Sequence, residues 1–257
     1  MFRFPRRRGV AESLGFELRA LELLSRHLSA PIPAPIRVSV LSRPRGWPFI
    51  AYPKLPGRPL SEVGPLDSTG NRRLGDFVGT LLSELAALPS RSLLRIGAKP
   101  GNPRAWEKKY RELQGRYHRV VESQVPPPLR RSLANAFDRF YSALRETRYR
   151  AVTTHQDLGP DHILWDPRLN RPTGVIDWED LRLGDPAFDL TGLAGLGGAR
   201  PVMWTRARKA GGDSTFDERL AFYRQVMPLH GVLYAADTHN PRLLRGHLSQ
   251  LKEGFGG

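Results

Sequence analysis

Apolar positions recur at helical spacing over residues 12–28, where Leu14, Leu18, Leu21 and Leu24 fall on one side. Ahead of them Phe2-Arg3-Phe4 reads as the end of a strand that Pro5 stops. Pro31, Pro33 and Pro35 then form a stiff extended connector. Two short strands are expected over residues 37–41 and 48–52. The Pro- and Gly-rich run from Pro53 through Gly57 to Pro59 follows them and is the candidate boundary between two lobes, residues 1–53 and 54–257. Beyond it the pattern turns helical, with amphipathic stretches over 71–88, 106–122 and 128–146. Short strands are expected at 151–154, 163–165 and 174–176, the last two paired as a hairpin through the turn at 167–172. A helix should begin near Pro186, and two or three more fill residues 217–251. No internal repeat is present. The order places the chain in the α+β class, with two unequal lobes.

Composition narrows the function classes. Hydrophobic residues make up 40% of the 257 and charged residues 25%, a globular balance. No apolar run approaches the ~20 residues that span a bilayer, and no apolar segment follows the basic start as a signal peptide would require. With no cysteine, disulfide and thiolate chemistry are excluded. A cytoplasmic location is the simplest expectation. The net charge of +15 is spread along the chain, and no helix-turn-helix, zinc-finger or aromatic RNA-binding signature accompanies it, so neither nucleic acid nor membrane is expected as a partner.

One window reverses the sign of that charge. Residues 155–189 carry eight acids, Asp157, Asp161, Asp166, Asp177, Glu179, Asp180, Asp185 and Asp189, against three arginines. Clustered carboxylates repel one another and need a cation or hydrogen-bond donors to remain ionised, and a divalent metal meets that need economically. The spacing is that of a kinase: a His-x-Asp turn, His155-Gln156-Asp157; a ligand five residues after the Asp, His162; and a second Asp on a following strand, Asp177. Phosphoryl transfer asks a protein mainly for positioning and charge neutralisation. Asp157 stands where the base belongs and Asp177 where the metal carboxylate belongs. The plainer readings are structural: His155 as scaffold, Asp185 and Asp189 as turn or cap residues, Trp165 and Trp178 as core. The Gly195-Leu196-Gly197-Gly198 run follows no clear strand and reads as a connection rather than a phosphate loop.

The run from His155 to Asp166 resembles the catalytic loop of the aminoglycoside phosphotransferase family, most of all its 2''-phosphotransferase branch and the macrolide kinases, which also carry His where kinases have Asn. Val175-Ile176-Asp177-Trp178 resembles the family's metal strand, and Asp185-Pro186-Ala187-Phe188-Asp189-Leu190 its helix-opening motif. The resemblance implies a protein-kinase-like fold. It also implies an enzyme that moves the γ-phosphoryl group of ATP or GTP to a hydroxyl of a small molecule, with Mg2+ held by His162 and Asp177. It places Arg3 where the phosphate-binding Lys belongs, Glu17 as that residue's helical partner, and Phe49, Ala51 and Tyr52 in the segment that binds the nucleotide base through backbone groups. The chain departs from the pattern twice. It opens inside the family's third strand, which implies a shortened small lobe, and Arg3, with its planar fork, replaces a point ammonium. The alternatives are a kinase-like binding module lacking the phosphate loop, and a zinc or manganese hydrolase built on His155, Asp157, His162 and Asp177. In residues 191–257, where the acceptor wall should lie, five acids face nine Lys and Arg. That balance is mildly unfavourable to a polycationic acceptor.

Overall fold

The computed structural model describes residues 2–4, 11–39, 49–147 and 149–256. It divides into two compact units, Met1–Pro100 with Ala151–Gly211, and Gly101–Arg150 with Gly212–Gly257. The expected 53/54 boundary falls inside the first unit. Among the described residues no helix is long and apolar enough to cross a membrane.

The first unit opens with a three-stranded antiparallel sheet in the order β1 (Phe2–Arg3), β3 (Phe49–Ala51), β2 (Arg37–Ser39). Helix α1 (Ala11–Leu24) packs on it through Leu14 and Leu18 against Ile50 and Tyr52. The leucine spacing read from the sequence therefore marks the buried side: Leu21 and Leu24 are also buried. The connector at 31–35 has no regular structure, as its prolines require, and buries Ile32 and Pro33. The expected stop at Pro5 lies outside the described residues, as do the outer ends of the two strands expected at 37–41 and 48–52.

A second sheet runs β4 (Arg58–Pro59), β6 (Ile163–Asp166), β7 (Arg171–Val175). The 163–175 hairpin is present, with a bulge between Leu164 and Trp165. Strand β4 was not anticipated. Gly57 makes it possible: φ is +95° there, and a Cβ would meet Thr173 Oγ1 at 2.6 Å and the Trp165 carbonyl at 2.7 Å. The remaining strands, β5 (Val152–Thr154) and β8 (Arg182–Gly184), pair antiparallel. Helix α2 (Ser68–Ala87) is capped by Asp67, whose carboxylate accepts from Gly70 N at 2.6 Å. A short helix α3 (Ser90–Arg95) follows. Later in the unit α6 (Arg200–Gly211) lies along α2, where Gly75 and Gly79 leave room for Val202 and the stem of Arg206. The helix expected from Pro186 is only a 3-10 turn, Phe188–Leu190. Asp185 accepts the Ala187 amide at 2.9 Å and closes a tight local turn there instead of capping a long helix.

The second unit is helical: α4 (Pro103–Val120), α5 (Pro127–Glu146), α7 (Phe216–Asp237) and α8 (Pro241–Glu253). Its core is aromatic. The rings of Phe140 and Phe222 stack at 3.9 Å, and Tyr110 meets both edge-on. Arg219 is fully buried at the start of α7. It donates to Asp213 Oδ1 at 2.7 Å and to Thr147 Oγ1 at 3.0 Å, and its guanidinium lies over the Tyr149 ring.

Candidate functional site

The start of the acidic window, residues 155–162, forms the loop between β5 and β6 and faces the segment that leaves β7. His155 is the hub. It is fully buried at the end of β5, its Nε2 donates to the Ile176 carbonyl at 3.0 Å, and its Nδ1 accepts the Asp157 amide at 3.3 Å. Both ring nitrogens are thus used within the protein, one as donor and one as acceptor, which defines a neutral tautomer. Burial holds its pKa down to about 4. His155 is therefore a scaffold, as the plainer reading had it. With both nitrogens engaged it is not available as a metal ligand in this arrangement, so the four-residue hydrolase set is not assembled.

The three residues expected to carry the chemistry are brought together. His162 Nδ1 donates to the Asp157 carbonyl at 2.6 Å and lies 3.4 Å from its carboxylate. Because a carbonyl oxygen only accepts, that bond puts a proton on Nδ1, so in the neutral ring it is Nε2 that carries the lone pair able to coordinate. Nε2 sits 3.6 Å from Asp177 Oδ2. A lone pair facing a carboxylate is repulsive unless a cation or proton lies between them. A divalent cation held between them would remove that repulsion, with the imidazole nitrogen and the carboxylate as its protein ligands. Asp177 has a φ of +69°, a conformation costly for a residue with a side chain. Two bonds flank it: the Ile176 amide donates to the His162 carbonyl at 3.0 Å, and Trp178 Nε1 donates to the Val175 carbonyl at 3.1 Å. Trp178 and Trp165 are buried core residues, as expected.

Asp157 is exposed at its tip. Its carboxyl is held above the ordinary range, first by the desolvation that the loop imposes, then by the charges of Asp177, Asp180 and Asp161, with His162 pulling the other way. The raised affinity for a proton suits a group that must accept one.

Asp189 grips the start of the loop, a structural role in keeping with the expectation for it. Fully buried, its two oxygens accept the amides of His155 at 2.7 Å and Gln156 at 2.9 Å. Gln156 has a φ of +76°, and these bonds hold it there. Burial pushes the Asp189 carboxyl up to about 6. The signal was present in the sequence as the Asp185–Asp189 motif, but its target lies more than thirty residues upstream. A third contact was not anticipated: Gly192 lies so close to the loop that a Cβ would meet the Leu158 carbonyl at 2.5 Å.

The residues expected at the nucleotide lie in the first sheet. Ala51 and Tyr52 are buried, Phe49 is half-buried, and Arg3 pairs through its backbone with Ile50, while its side chain lies outside the described residues. Glu17 is 1% exposed on α1. A buried carboxylate at that depth requires a compensating donor or cation.

The chain matches the model of the phosphotransferase enzyme family over residues 1–229. It is 24% identical over 191 residues to viomycin phosphotransferase of Streptomyces vinaceus, a match covering 73% of this chain and 64% of that relative's length. Its fold superposes on the GDP and kanamycin complex of APH(2")-IIia with a TM-score of 0.84 at 23% identity, covering 99% of this chain and 86% of that one. It superposes on macrolide 2'-phosphotransferase MphH of Brachybacterium faecium with a TM-score of 0.71 at 25% identity, over 97% and 83%. The architecture is the kinase-like α+β fold of these enzymes, and the chain belongs to the phosphotransferase enzyme family.

Proposed function

We propose that this chain is a small-molecule kinase that moves the γ-phosphoryl group of ATP or GTP to an alcohol, with Asp157 as the base. One observation carries the reading. The His162 Nδ1–H bond to the Asp157 carbonyl turns the Nε2 lone pair toward Asp177, so base and metal ligands are set by a single loop geometry. Mg2+, when bound, would supply charge neutralisation on the phosphate oxygens. Asp157 accepts the proton of the acceptor hydroxyl as that oxygen attacks phosphorus in line with the leaving nucleotide oxygen. His155 orients Asp157 through its amide. By the family resemblance Arg3 would bring the cation to the phosphates with Glu17 as its partner, and the backbone of Phe49, Ala51 and Tyr52 would meet the base.

The acceptor follows from charge. Residues 191–257 carry nine Lys and Arg against five acids, which favours a macrolide, a sugar or another neutral alcohol over a polycation. Glu179 and Asp180, beside the metal strand, remain for an acceptor bearing one amine. Such a reaction on an antibiotic hydroxyl would confer resistance. The test is a panel of a macrolide, viomycin and kanamycin, each with ATP or GTP and magnesium, read by mass spectrometry for an added phosphoryl group. Magnesium-dependent phosphorylation of one acceptor is expected. Nucleotide binding without transfer to any acceptor, or turnover of a phosphoester without nucleotide, contradicts it.

A further inference from the structure

The catalytic loop is held at its start by Asp189 and His155 and at its end by entry into β6. Its apex, Gly159-Pro160-Asp161, lies between the base and His162 and has no strand of its own. The linker that follows β3 reaches that apex. After Gly57 turns it, the linker pairs along β6, Arg58 opposite Trp165 and Pro59 opposite Leu164, and Thr173 Oγ1 donates to the Pro56 carbonyl at 2.7 Å. A 3-10 turn, Leu60–Glu62, then carries Ser61 to the loop. Ser61 donates twice, its amide to the Pro160 carbonyl at 3.2 Å and its hydroxyl to Asp161 Oδ1 at 2.5 Å. Two consecutive apex residues are thus gripped by one side chain and its own backbone. Inside the apex the His162 amide donates to the Gly159 carbonyl at 3.0 Å, so a shift of the apex is passed directly to His162.

The second donation has an electrostatic reason. Asp161 is one of the charges bearing on Asp157, in a loop whose carboxylates repel one another. A carboxylate left free on that apex would drag the loop toward solvent, whereas a hydroxyl donor from a fixed turn holds it. The linker is also continuous with β3, where the nucleotide base is proposed to sit. We propose that Ser61, clasping Asp161, is a positioning residue for the phosphoryl-transfer reaction. It sets the apex from the nucleotide side, and its loss lowers turnover rather than nucleotide affinity. The proposal rests on the reading of this loop as catalytic.

The experiment compares wild type with Ser61→Ala, Ser61→Thr, Asp161→Ala and the double Ser61→Ala/Asp161→Ala variant. Hydrogen exchange of the amides of residues 157–163 is read first, since it needs no substrate. Ser61→Ala should raise exchange at the His162 amide by about tenfold, and Ser61→Thr should not. Phosphate release from GTP and magnesium, with water as acceptor, is read second. Ser61→Ala should lower kcat by about tenfold and leave the KM for GTP within about twofold; threonine should restore kcat, and the double variant should be no worse than either single one. Unchanged exchange in Ser61→Ala overturns the clasp, as does a kcat loss that threonine does not restore or losses that multiply in the double variant. Absence of phosphate release from wild type would count against the kinase reading alone, and the exchange result would still decide the clasp.

Discussion

Asp189 holds Gln156 in a left-handed backbone conformation, 33 residues away in sequence, by accepting its amide at 2.9 Å while the other carboxylate oxygen takes the amide of His155. The strained residue immediately precedes Asp157, so the direction in which the base leaves the loop depends on a carboxylate that never meets the reacting atoms. Asp189→Asn keeps the shape but offers one acceptor oxygen for two amides. Leaving a buried amide unsatisfied costs about 1–3 kcal/mol. Both the urea midpoint and kcat should fall, with nucleotide affinity preserved.

The same site gives acid stability a definite sign. Buried His155 refuses a proton until about pH 4, chiefly because of desolvation, whereas an ordinary histidine takes one near 6.5. At this histidine the unfolded chain therefore binds more protons than the fold across that window, and its contribution to stability falls as pH falls through it. Asp189 acts in the opposite sense. Its carboxyl is pushed from 3.8 to about 6, so its contribution is complete below 3.8 and is lost as pH rises through about 6. Urea midpoints measured between pH about 4 and 7 should fall more steeply toward acid in Asp189→Asn than in the wild type. Parallel curves for the two proteins would contradict the assignment.

Gly192 tests how tightly the loop is packed. Its neighbour is a backbone carbonyl that cannot rotate away, so Gly192→Ala must push Leu158 outward. A loss of about 1–3 kcal/mol is expected from overpacking, with a kcat loss of about ten- to a hundredfold because Leu158 adjoins the base. Steady-state kinetics beside a denaturation curve separates the two effects.

What the sequence made legible was local. The His-x-Asp spacing, the hairpin after it and the leucine side of α1 all depend on contacts a few residues apart, where periodicity and turn chemistry speak directly. The unexpected elements depend on distant partners. Helix α6 hides its pattern because Arg206 lies over Gly79 and donates to Thr80 Oγ1, placing a charged residue on the inner side. Strand β4 exists because Gly57 can approach Trp165 and Thr173 closely. The helix expected at Pro186 stops as a 3-10 turn because Asp185 turns the chain locally and Asp189 is committed to the catalytic loop.

In the second unit Arg219 should matter for folding alone. Arg219→Met leaves Asp213 without the guanidinium that faces it, and breaking such a buried pair from one side costs about 3–5 kcal/mol. Guanidinium denaturation should show that loss. The folded fraction should retain wild-type nucleotide affinity.

The metal pair separates by substitution. Asp177→Ala removes the carboxylate facing the His162 lone pair and should weaken magnesium-dependent nucleotide binding by more than about tenfold, the loss that even an outer partner of a ligand can produce. His162→Asn keeps an N–H donor and replaces the ring nitrogen with an oxygen that can coordinate, and should be tolerated. Calorimetric titration of GTP with and without magnesium gives both values, and equal wild-type affinity in the two conditions would contradict the metal role.

The most direct measurement is turnover by Asp157→Asn on an acceptor that the wild type phosphorylates, beside its affinity for the nucleotide. Asparagine preserves size and the amide bond to His155 but cannot take the hydroxyl proton. The expected result is a kcat lower by about 10²–10⁴ with the dissociation constant of magnesium nucleotide nearly unchanged. Wild-type turnover in that variant would contradict the assignment of Asp157 as the base.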